Sequence, residues 1–360
     1  MSLLLAATLL TFVPEAEARR DPVAFEGDFL VPDDARELAR FCRRHDAVTG
    51  DLIVGKAWTA TDLAMLSCVE RVGGRLVIKR TEHLVSLDGL SLSQQSGVPL
   101  RAIRIVDNDA LTDVSALSSV EGLRTAGLVV QGNASLPALA GLPPVVGGAQ
   151  VTVADNRSLI SLQAPNGARS GTDLGHIYIA NNPHLERITG MSRVVWAESV
   201  VVRAAPRLRE LSALPDLTAT GAFELVGLPL LETWSFAPRL STLERLVIED
   251  ADGLKVLPAM PDLARAAEIC IEDNDLLETI AGLTVSRGGH PTVDRLVVLD
   301  NPRLDKKGVL RVVDRLHLPA GEGALNIEGN LVSPSTNLRL PSAVSPPPLG
   351  NAVHGEKSGE

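Results

Sequence analysis

Apolar residues recur in alternating pairs along most of this chain, and each pair is followed by an asparagine or by a residue in its place. Ile177 and Ile179 precede Asn182, and Ile269 and Ile271 precede Asn274. Alternation with a period of two predicts strands that bury one face. We call the residue that stands three places after the second apolar residue the corner position. The corner positions are Asn108, Asn133, Asn156, Asn182, Ala205, Leu228, Ala251, Asn274, Asn301 and Asn330.

The spacing of the corner positions predicts a repeat protein. From Asn182 to Asn274 the spacing is 23 residues four times in succession, and most corners are followed three residues later by leucine, as at Leu185. Self-similarity on this scale is typical of solenoids. Two weaker copies lie near Val54 and Thr81. The pattern therefore predicts a mainly β fold, a right-handed, leucine-rich-repeat-like parallel β-solenoid of about twelve turns with short helical caps.

Asparagine suits the corner position for a structural reason. Corner backbone groups lie between stacked repeats, and buried N–H and C=O groups need hydrogen-bond partners. An asparagine side chain that points inward offers both a donor and an acceptor, and it can bridge neighbouring repeats. We therefore predict a buried structural ladder. Its members are Asn108, Asn133, Asn156, Asn182, Asn274, Asn301 and Asn330.

The strand positions that face outward supply the candidate binding site. Val129, Thr152, Tyr178 and Val201 stand four residues before their corners, and Arg203 lies in the adjacent outward column. A contiguous apolar stripe that faces solvent is typical of a binding surface. Valine and threonine also suit strands in general, so strand propensity is the alternative explanation. We predict that these five residues contact a ligand and that Tyr178 is the anchor.

Composition narrows the choice of partner. The chain has 360 residues, of which 45% are hydrophobic but only 3% aromatic, so the core is expected to consist of leucine, valine, isoleucine and alanine. The formal net charge is −10. A surface this acidic argues against nucleic acid or an anionic membrane as the partner.

The two ends of the chain differ from the repeats. Residues 3–13 are apolar, and an Ala-Glu-Ala cleavage pattern follows at residues 16–18. Together these predict a signal peptide over residues 1–18 and an exported protein, whether periplasmic, cell-surface or secreted, with a buried N-terminal helix as the alternative. No apolar run is long enough for a membrane span. The remaining units are expected to be a segment with a capping helix (19–40), the solenoid (41–335) and a disordered tail rich in proline, glycine and serine (336–360).

An exported chain with three cysteines is expected to pair two of them. Cys42 and Cys68 both precede the regular repeats, whereas Cys270 lies inside a predicted strand and is expected to be left over.

The stretches "FCRRHDAVTGDLIV", "DLAMLSCVERVGGRLVI" and "LVSLDGLS" resemble the receptor L-domain family, the leucine-rich-like solenoids of insulin- and growth-factor-receptor ectodomains. In that family a cysteine precedes a Gly-x-Leu-x-Ile strand, and a second cysteine precedes another. The resemblance covers roughly residues 41–335. It implies that a Cys42–Cys68 disulfide caps the N-terminal end of the solenoid. Receptor L domains have about half as many turns and adjoin a cysteine-rich module, which this chain does not show.

Sequence motifs for catalysis are absent from the chain. It has no His-Glu-x-x-His, Gly-x-Ser-x-Gly or P-loop pattern, and no cofactor is expected. Carboxylates cluster at Glu249 and Asp250 in one repeat and at Glu272 and Asp273 in the next. We expect a solvated acidic edge, with a cation site as the alternative.

These features favour an exported, non-enzymatic binding or adhesion module that recognises a protein or a glycan through its sheet face and loops. The alternative is a carbohydrate-active enzyme on a parallel β-helix, which convergent acids and bases over the sheet would favour. We interpret the sheet face as apolar and free of histidine. Ala154 and Ala180, beside Tyr178, predict a shallow hollow there.

Overall fold

The computed structural model describes residues 23–92, 100–119, 125–235, 237–284, 287–320 and 323–330. The predicted signal peptide and the predicted C-terminal tail lie outside the described residues.

Strands dominate the described chain, and two short α-helices accompany them. The helices are α1 (Ala35–Cys42) and α2 (Lys306–Val313). The strands are β1 (Phe29–Leu30), β2 (Ala47–Val48), β3 (Leu52–Val54), β4 (Arg71–Val72), β5 (Arg75–Lys79), β6 (Ala102–Val106), β7 (Thr125–Gln131), β8 (Ala138–Leu139), β9 (Val145–Ala154), β10 (Ser161–Ala164), β11 (Thr172–Ala180), β12 (Arg187–Gly190), β13 (Val194–Arg203), β14 (Glu210–Ala213), β15 (Ala219–Val226), β16 (Thr233–Trp234), β17 (Thr242–Glu249), β18 (Arg265–Glu272), β19 (Thr292–Leu299) and β20 (Leu325–Glu328).

The predicted parallel β-solenoid is confirmed. One long sheet contains thirteen parallel strands in the order β1, β3, β5, β6, β7, β9, β11, β13, β15, β17, β18, β19 and β20. In the middle of the molecule a second sheet of five strands, in the order β16, β14, β12, β10 and β8, forms another side of the coil. Nearer the ends this side is reduced to isolated parallel bridges, such as Ser86 with Asp113 and Val256 with Thr279, and short 3-10 turns such as Ala281–Thr284 follow.

Each coil buries the side chains that the alternation predicts. Ile177 and Ile179 are buried, and so is Leu185, which follows the corner. The backbone N–H of Leu185 donates to the C=O of Asn182 at 3.1 Å, which closes the corner as a turn. The Asn-x-x-Leu spacing thus reflects one hydrogen bond and one buried side chain per coil.

The asparagine ladder is confirmed. At Asn133, Nδ2 donates to the C=O of Ile105 at 3.0 Å, and Oδ1 accepts the backbone N–H of Asn108 at 3.2 Å. Nδ2 also donates to Oδ1 of Asn156 at 3.1 Å. One side chain therefore satisfies backbone groups of the preceding coil and contacts the next. All ladder members are buried, in one run of Asn108, Asn133, Asn156 and Asn182 and a second run of Asn274, Asn301 and Asn330.

Apolar corners interrupt the ladder between the two runs. Ala205, Leu228 and Ala251 are fully buried. The N–H of Leu228 donates to the backbone C=O of Asp250 at 2.9 Å, and the N–H of Ala251 donates to Oδ1 of Asn274 at 3.0 Å. At Leu228, backbone thus replaces the missing amide.

The residue directly before each corner adopts the left-handed conformation. From Arg80 to Gly329, φ at these positions lies between +51° and +69°. Glycine, asparagine and aspartate tolerate this region best, and nine of the positions hold one of these three residue types. They are Asp107, Gly132, Asp155, Asn181, Gly227, Asp250, Asp273, Asp300 and Gly329.

The sheet begins earlier than the predicted solenoid start at residue 41. Strand β1 pairs with β3, with Phe29 opposite Leu52. The sequence "GDFLV" at residues 27–31 matches "GDLIV" at residues 50–54 and marks this additional coil. Close packing requires glycine there, because a Cβ at Gly50 would lie 2.6 Å from the C=O oxygen of Gly27.

The N-terminal cap contains the predicted helix and disulfide. Asp34 caps α1 by accepting the N–H of Arg36 at 2.7 Å. The Cys42–Cys68 disulfide is confirmed, and it joins the end of α1 to the chain after the Ala64–Leu66 turn. Phe29 stacks on Phe41 with ring centroids 3.9 Å apart, so aromatic side chains help to cover this end of the apolar core.

The C-terminal helix lies within a coil and precedes the last described strand. Helix α2 stands between β19 and β20, and Asp305 caps it by accepting the N–H of Gly308 at 3.1 Å. Val309 and Val312 are buried. Strand β20 continues the long sheet beyond this helix.

Candidate functional site

Pairing in the long sheet brings the predicted stripe together. Thr152 is paired with Val129 on one side and with Tyr178 on the other, and Tyr178 is paired with Val201. We call these four residues the outer stripe. All four are half-buried on the outer face. Arg203 is also half-buried, two residues along the strand from Val201.

The hollow predicted beside Tyr178 is wrong. Ala154 and Ala180 are buried, so their methyl groups do not line a depression that is open to solvent.

The prediction of a sheet face free of histidine is also wrong. Nδ1 of His176 lies 2.8 Å from Oγ of Ser199, and Nε2 lies 3.5 Å from Oε2 of Glu198. Inward residues of β13 are three apart here, at Ala197 and Val200, with Glu198 and Ser199 between them. A local departure from alternation, as at a bulge, therefore leaves two successive side chains outside the core.

This cluster resembles a hydrolytic triad only in composition. Ser199 lies within a strand that is paired on both sides, opposite His176 and Ala222. Backbone N–H groups in such a strand are used in the sheet, whereas an acyl-transfer site needs donors aimed at an oxyanion. The cluster is best described as a surface contact between strands.

A depression that the sequence reasoning missed lies next to the outer stripe. Its volume is about 320 Å³, and it lies over β3, β5 and β6. Arg104 contributes to it and is paired with Val129, so the depression adjoins the stripe directly. We call it the N-terminal depression. Its cationic lining residues are Arg75, Lys79, Arg80 and Arg104.

Two carboxylates of the depression pair with two of these cations. Nε of Arg75 donates to Oδ2 of Asp51 at 2.8 Å, and the backbone N–H of Arg75 donates to Oδ1 at 2.7 Å. Burial alone would raise the pKa of Asp51, but the hydrogen bonds and charge of Arg75, with the charge of Arg101, outweigh it and lower the pKa. Asp51 in turn raises the pKa of Arg75, chiefly through their side-chain hydrogen bond. Nε of Arg80 lies 3.9 Å from Oδ2 of Asp107.

A sequence signal for the depression exists. The stretches "RLVIKR" and "RAIRIV" place cations at strand positions that the alternation turns outward. The first stretch belongs to the weak repeat near Thr81, and the pattern of either stretch alone does not show that their cations share one surface.

The acidic edge, defined as Glu249, Asp250, Glu272 and Asp273, lies in the C-terminal half of the same sheet. Glu249 is paired with Glu272 in the long sheet. Burial, followed by the charges of Asp250, Glu272 and Asp273, raises the pKa of Glu249. Burial also raises the pKa of Asp273, with Asp300 as the largest charge contribution. Within the described residues, no group of three or more histidine, cysteine, aspartate or glutamate side chains is placed to hold a metal ion.

No family model matches this chain, and neither a curated protein nor a solved structure matches it. The resemblance to receptor L domains therefore stays a prediction from sequence. Neither helix of the described chain is long and apolar enough to cross a membrane.

Proposed function

We propose that this protein is an exported, non-enzymatic binding module that holds a protein or glycan ligand on the outer face of its long sheet. The observation that carries the proposal is the continuity of one outward column. It runs without a break in pairing from Ile53 through Val77 and Arg104 to the outer stripe. Seven adjacent strands contribute, so the face is roughly 30 Å long at about 4.8 Å per strand.

Preorganisation of the sheet favours binding on this face. Side chains on paired strands are already positioned, so a ligand pays little ordering entropy on binding. Tyr178 presents an aromatic body with a polar hydroxyl between Thr152 and Val201, and residues of this type are frequent anchors. Export is supported by the Cys42–Cys68 disulfide, because such bonds persist in oxidising compartments.

The test uses two aromatic residues on the same sheet. Ligands would be selected from a random peptide display library and from a glycan array. We expect Tyr178→Ala to weaken binding of the selected ligands by about 2 kcal/mol or more, which is a roughly thirtyfold loss of affinity. Trp196→Ala is the control, because Trp196 is 40% exposed near the start of β13 and away from the stripe. Equal affinities for wild type and Tyr178→Ala would contradict a ligand site on the stripe.

A carbohydrate-active enzyme is the second candidate, and the acidic edge is the observation that favours it. Glycosidases use one carboxyl group with a raised pKa as the acid and a second carboxylate as its partner. Glu249 and Asp273 both have raised pKa values. The test is release of reducing sugar from a panel of polysaccharides by wild type, Glu249→Gln and Asp273→Asn. Release that both variants abolish would favour the enzyme, and no release by wild type would count against it.

A further inference from the structure

The N-terminal depression contains two cations that have no partner among the described residues. Arg75 and Arg80 contact Asp51 and Asp107. Lys79 and Arg104 are also exposed, but their side chains make no hydrogen bond or ion pair within the described chain. Four cations and two carboxylates therefore leave this depression positively charged, in a protein whose formal net charge is −10.

The strand register gives the two unpaired cations a defined separation. Val77 is paired with Arg104, and Lys79 stands two residues after Val77 on β5. The two cations are therefore diagonal neighbours, with Cα atoms roughly 7–8 Å apart. In an extended peptide, side chains two residues apart point the same way and are about 6.6 Å apart. Acidic side chains at alternate positions of an extended segment match this separation.

The floor of the depression is apolar. Ile53, Val77 and Val106 line it beside the cations. In an extended segment only every second side chain faces the depression, so both chemistries are presented when acidic and apolar residues share these positions. Two acidic residues then reach the cations at the rim, and an apolar residue on the same face of the segment contacts the floor. Charge on the rest of the sheet directs such a segment here, since Glu249 and Glu272 occupy the outward positions of the C-terminal strands.

The lining distinguishes a peptide from an acidic glycan. None of the described residues that line the depression is aromatic, and aromatic rings are the side chains whose faces best cover the apolar faces of sugars. Tyr178 lies three strands away from Arg104, on β11, roughly 14 Å along the sheet.

We infer that the N-terminal depression binds an acidic, extended peptide segment through Lys79 and Arg104, with apolar side chains of the segment against Ile53, Val77 and Val106. This inference rests on the proposed function, because it names the class of partner for one end of the same face.

The experiment measures binding of a labelled peptide that carries glutamate, glutamate and valine in turn at every second position, with serine at the positions between them. Its comparison probes are the peptide of equal length with serine in place of each glutamate and a galacturonate oligomer with the same number of carboxylates. The double variant Lys79→Ser/Arg104→Ser is compared with Lys255→Ser/Arg207→Ser. The control pair is exposed, lies after the corners, and makes no side-chain hydrogen bond or ion pair within the described residues. Both double variants change the net charge equally, and their urea unfolding midpoints establish that they are folded.

We expect the acidic peptide to bind wild type, the Lys79/Arg104 variant to bind roughly tenfold or more weakly, and the control variant to stay within about twofold. Added salt is expected to weaken the binding. Three results would overturn the inference: no binding of the peptide at about 1 mM, equal weakening by both double variants, or tighter binding of the galacturonate oligomer than of the peptide. The Tyr178→Ala comparison tests the proposed function separately. If the depression does not bind the peptide but a selected ligand still depends on Tyr178, the proposed function stands and only this inference fails.

Discussion

Two adjacent residues at each corner of this solenoid have opposite requirements. The first is left-handed and faces solvent, and the second is buried between coils. Asn181 and Asn182 show the contrast: φ of Asn181 is +55° and its side chain is exposed, while Asn182 is fully buried. Because both positions accept asparagine, residue identity alone does not reveal which requirement applies.

The pair Ala204 and Ala205 separates the two requirements. Ala204 has φ of +51° and is exposed, whereas Ala205 is fully buried at the corner. We expect Ala204→Gly to stabilise the protein by roughly 0.5–1 kcal/mol, because glycine relieves the left-handed strain. Ala205→Gly is expected to destabilise it by roughly 1 kcal/mol, because a buried methyl group is lost. Urea unfolding measures both, and equal signs for the two variants would contradict the assignment.

A second prediction at the scale of single residues concerns the asparagine ladder. Asn182 and Asn274 each donate to the backbone of the preceding coil, at Val153 and Ile248. Replacement of either asparagine by alanine is expected to cost roughly 1–3 kcal/mol, because buried backbone groups lose their partners. Asp109→Ala is the control, since Asp109 is exposed beside a corner. Unfolding midpoints equal to wild type for both asparagine variants would refute the ladder as a source of stability.

At the scale of elements, the N-terminal cap depends on a covalent bond. The disulfide closes a sequence separation of 26 residues and attaches α1 to the first coils. We expect Cys42→Ser/Cys68→Ser to lose on the order of 3 kcal/mol in urea unfolding. Cys270→Ser is the matched control. A loss equal to that of the control would show that the bond contributes little.

Thiol titration provides an independent check of the disulfide. Denatured, non-reduced protein is expected to show one reactive thiol, Cys270. In the native state this thiol is expected to react slowly, because burial, followed by its hydrogen bond to Glu272, raises its pKa. Three reactive thiols before reduction would contradict the pairing.

At the scale of the molecule, charge is segregated along one face. The N-terminal depression is basic, and the acidic edge occupies the other half of the same sheet. Burial of these carboxyl groups, together with their mutual proximity, has a thermodynamic consequence. When folding raises the pKa of a carboxyl group, the protonated group favours the native state more than the ionised group does. The free energy of unfolding therefore falls as the pH rises through the pKa of the unfolded state and then that of the folded state.

Glu249→Gln tests this consequence. The pKa of Glu249 is raised above its ordinary value of 4.5, so the ionised side chain disfavours the native state at neutral pH. We expect the glutamine variant to be more stable by roughly 0.2–1 kcal/mol at about pH 7, and the difference to vanish at about pH 3. Glu278→Gln, an exposed position outside the acidic edge, is the control. Destabilisation at neutral pH would contradict the sign.

Sequence alone determined the features that repeat with a local period. Alternation identified the inward pairs such as Ile177 and Ile179, the corner asparagines and the register of the outer stripe. These features can be predicted from the sequence because each coil must bury the same positions and provide hydrogen-bond partners for the same corner backbone groups. The same residue pattern therefore recurs in every repeat. The sequence also contains a signal for the additional coil at Phe29, because the Gly-Asp pair before it matches the pair before Leu52, but the predicted solenoid did not include this coil.

Tertiary structure alone decided which side chains share a surface and how much solvent each one meets. Lys79 and Arg104 become neighbours only when β5 pairs with β6, and Glu198 reaches His176 only because inward residues of β13 are three apart. Burial of Ala154 and Ala180 likewise depends on side chains of adjacent coils. Such features depend on residues roughly one coil apart in sequence, and the same residue types need not recur at these positions in other coils. The physical reason is that packing fixes the buried positions of every coil alike, whereas solvent tolerates many residues at the outward positions, so their combined effect appears only when the coils are stacked.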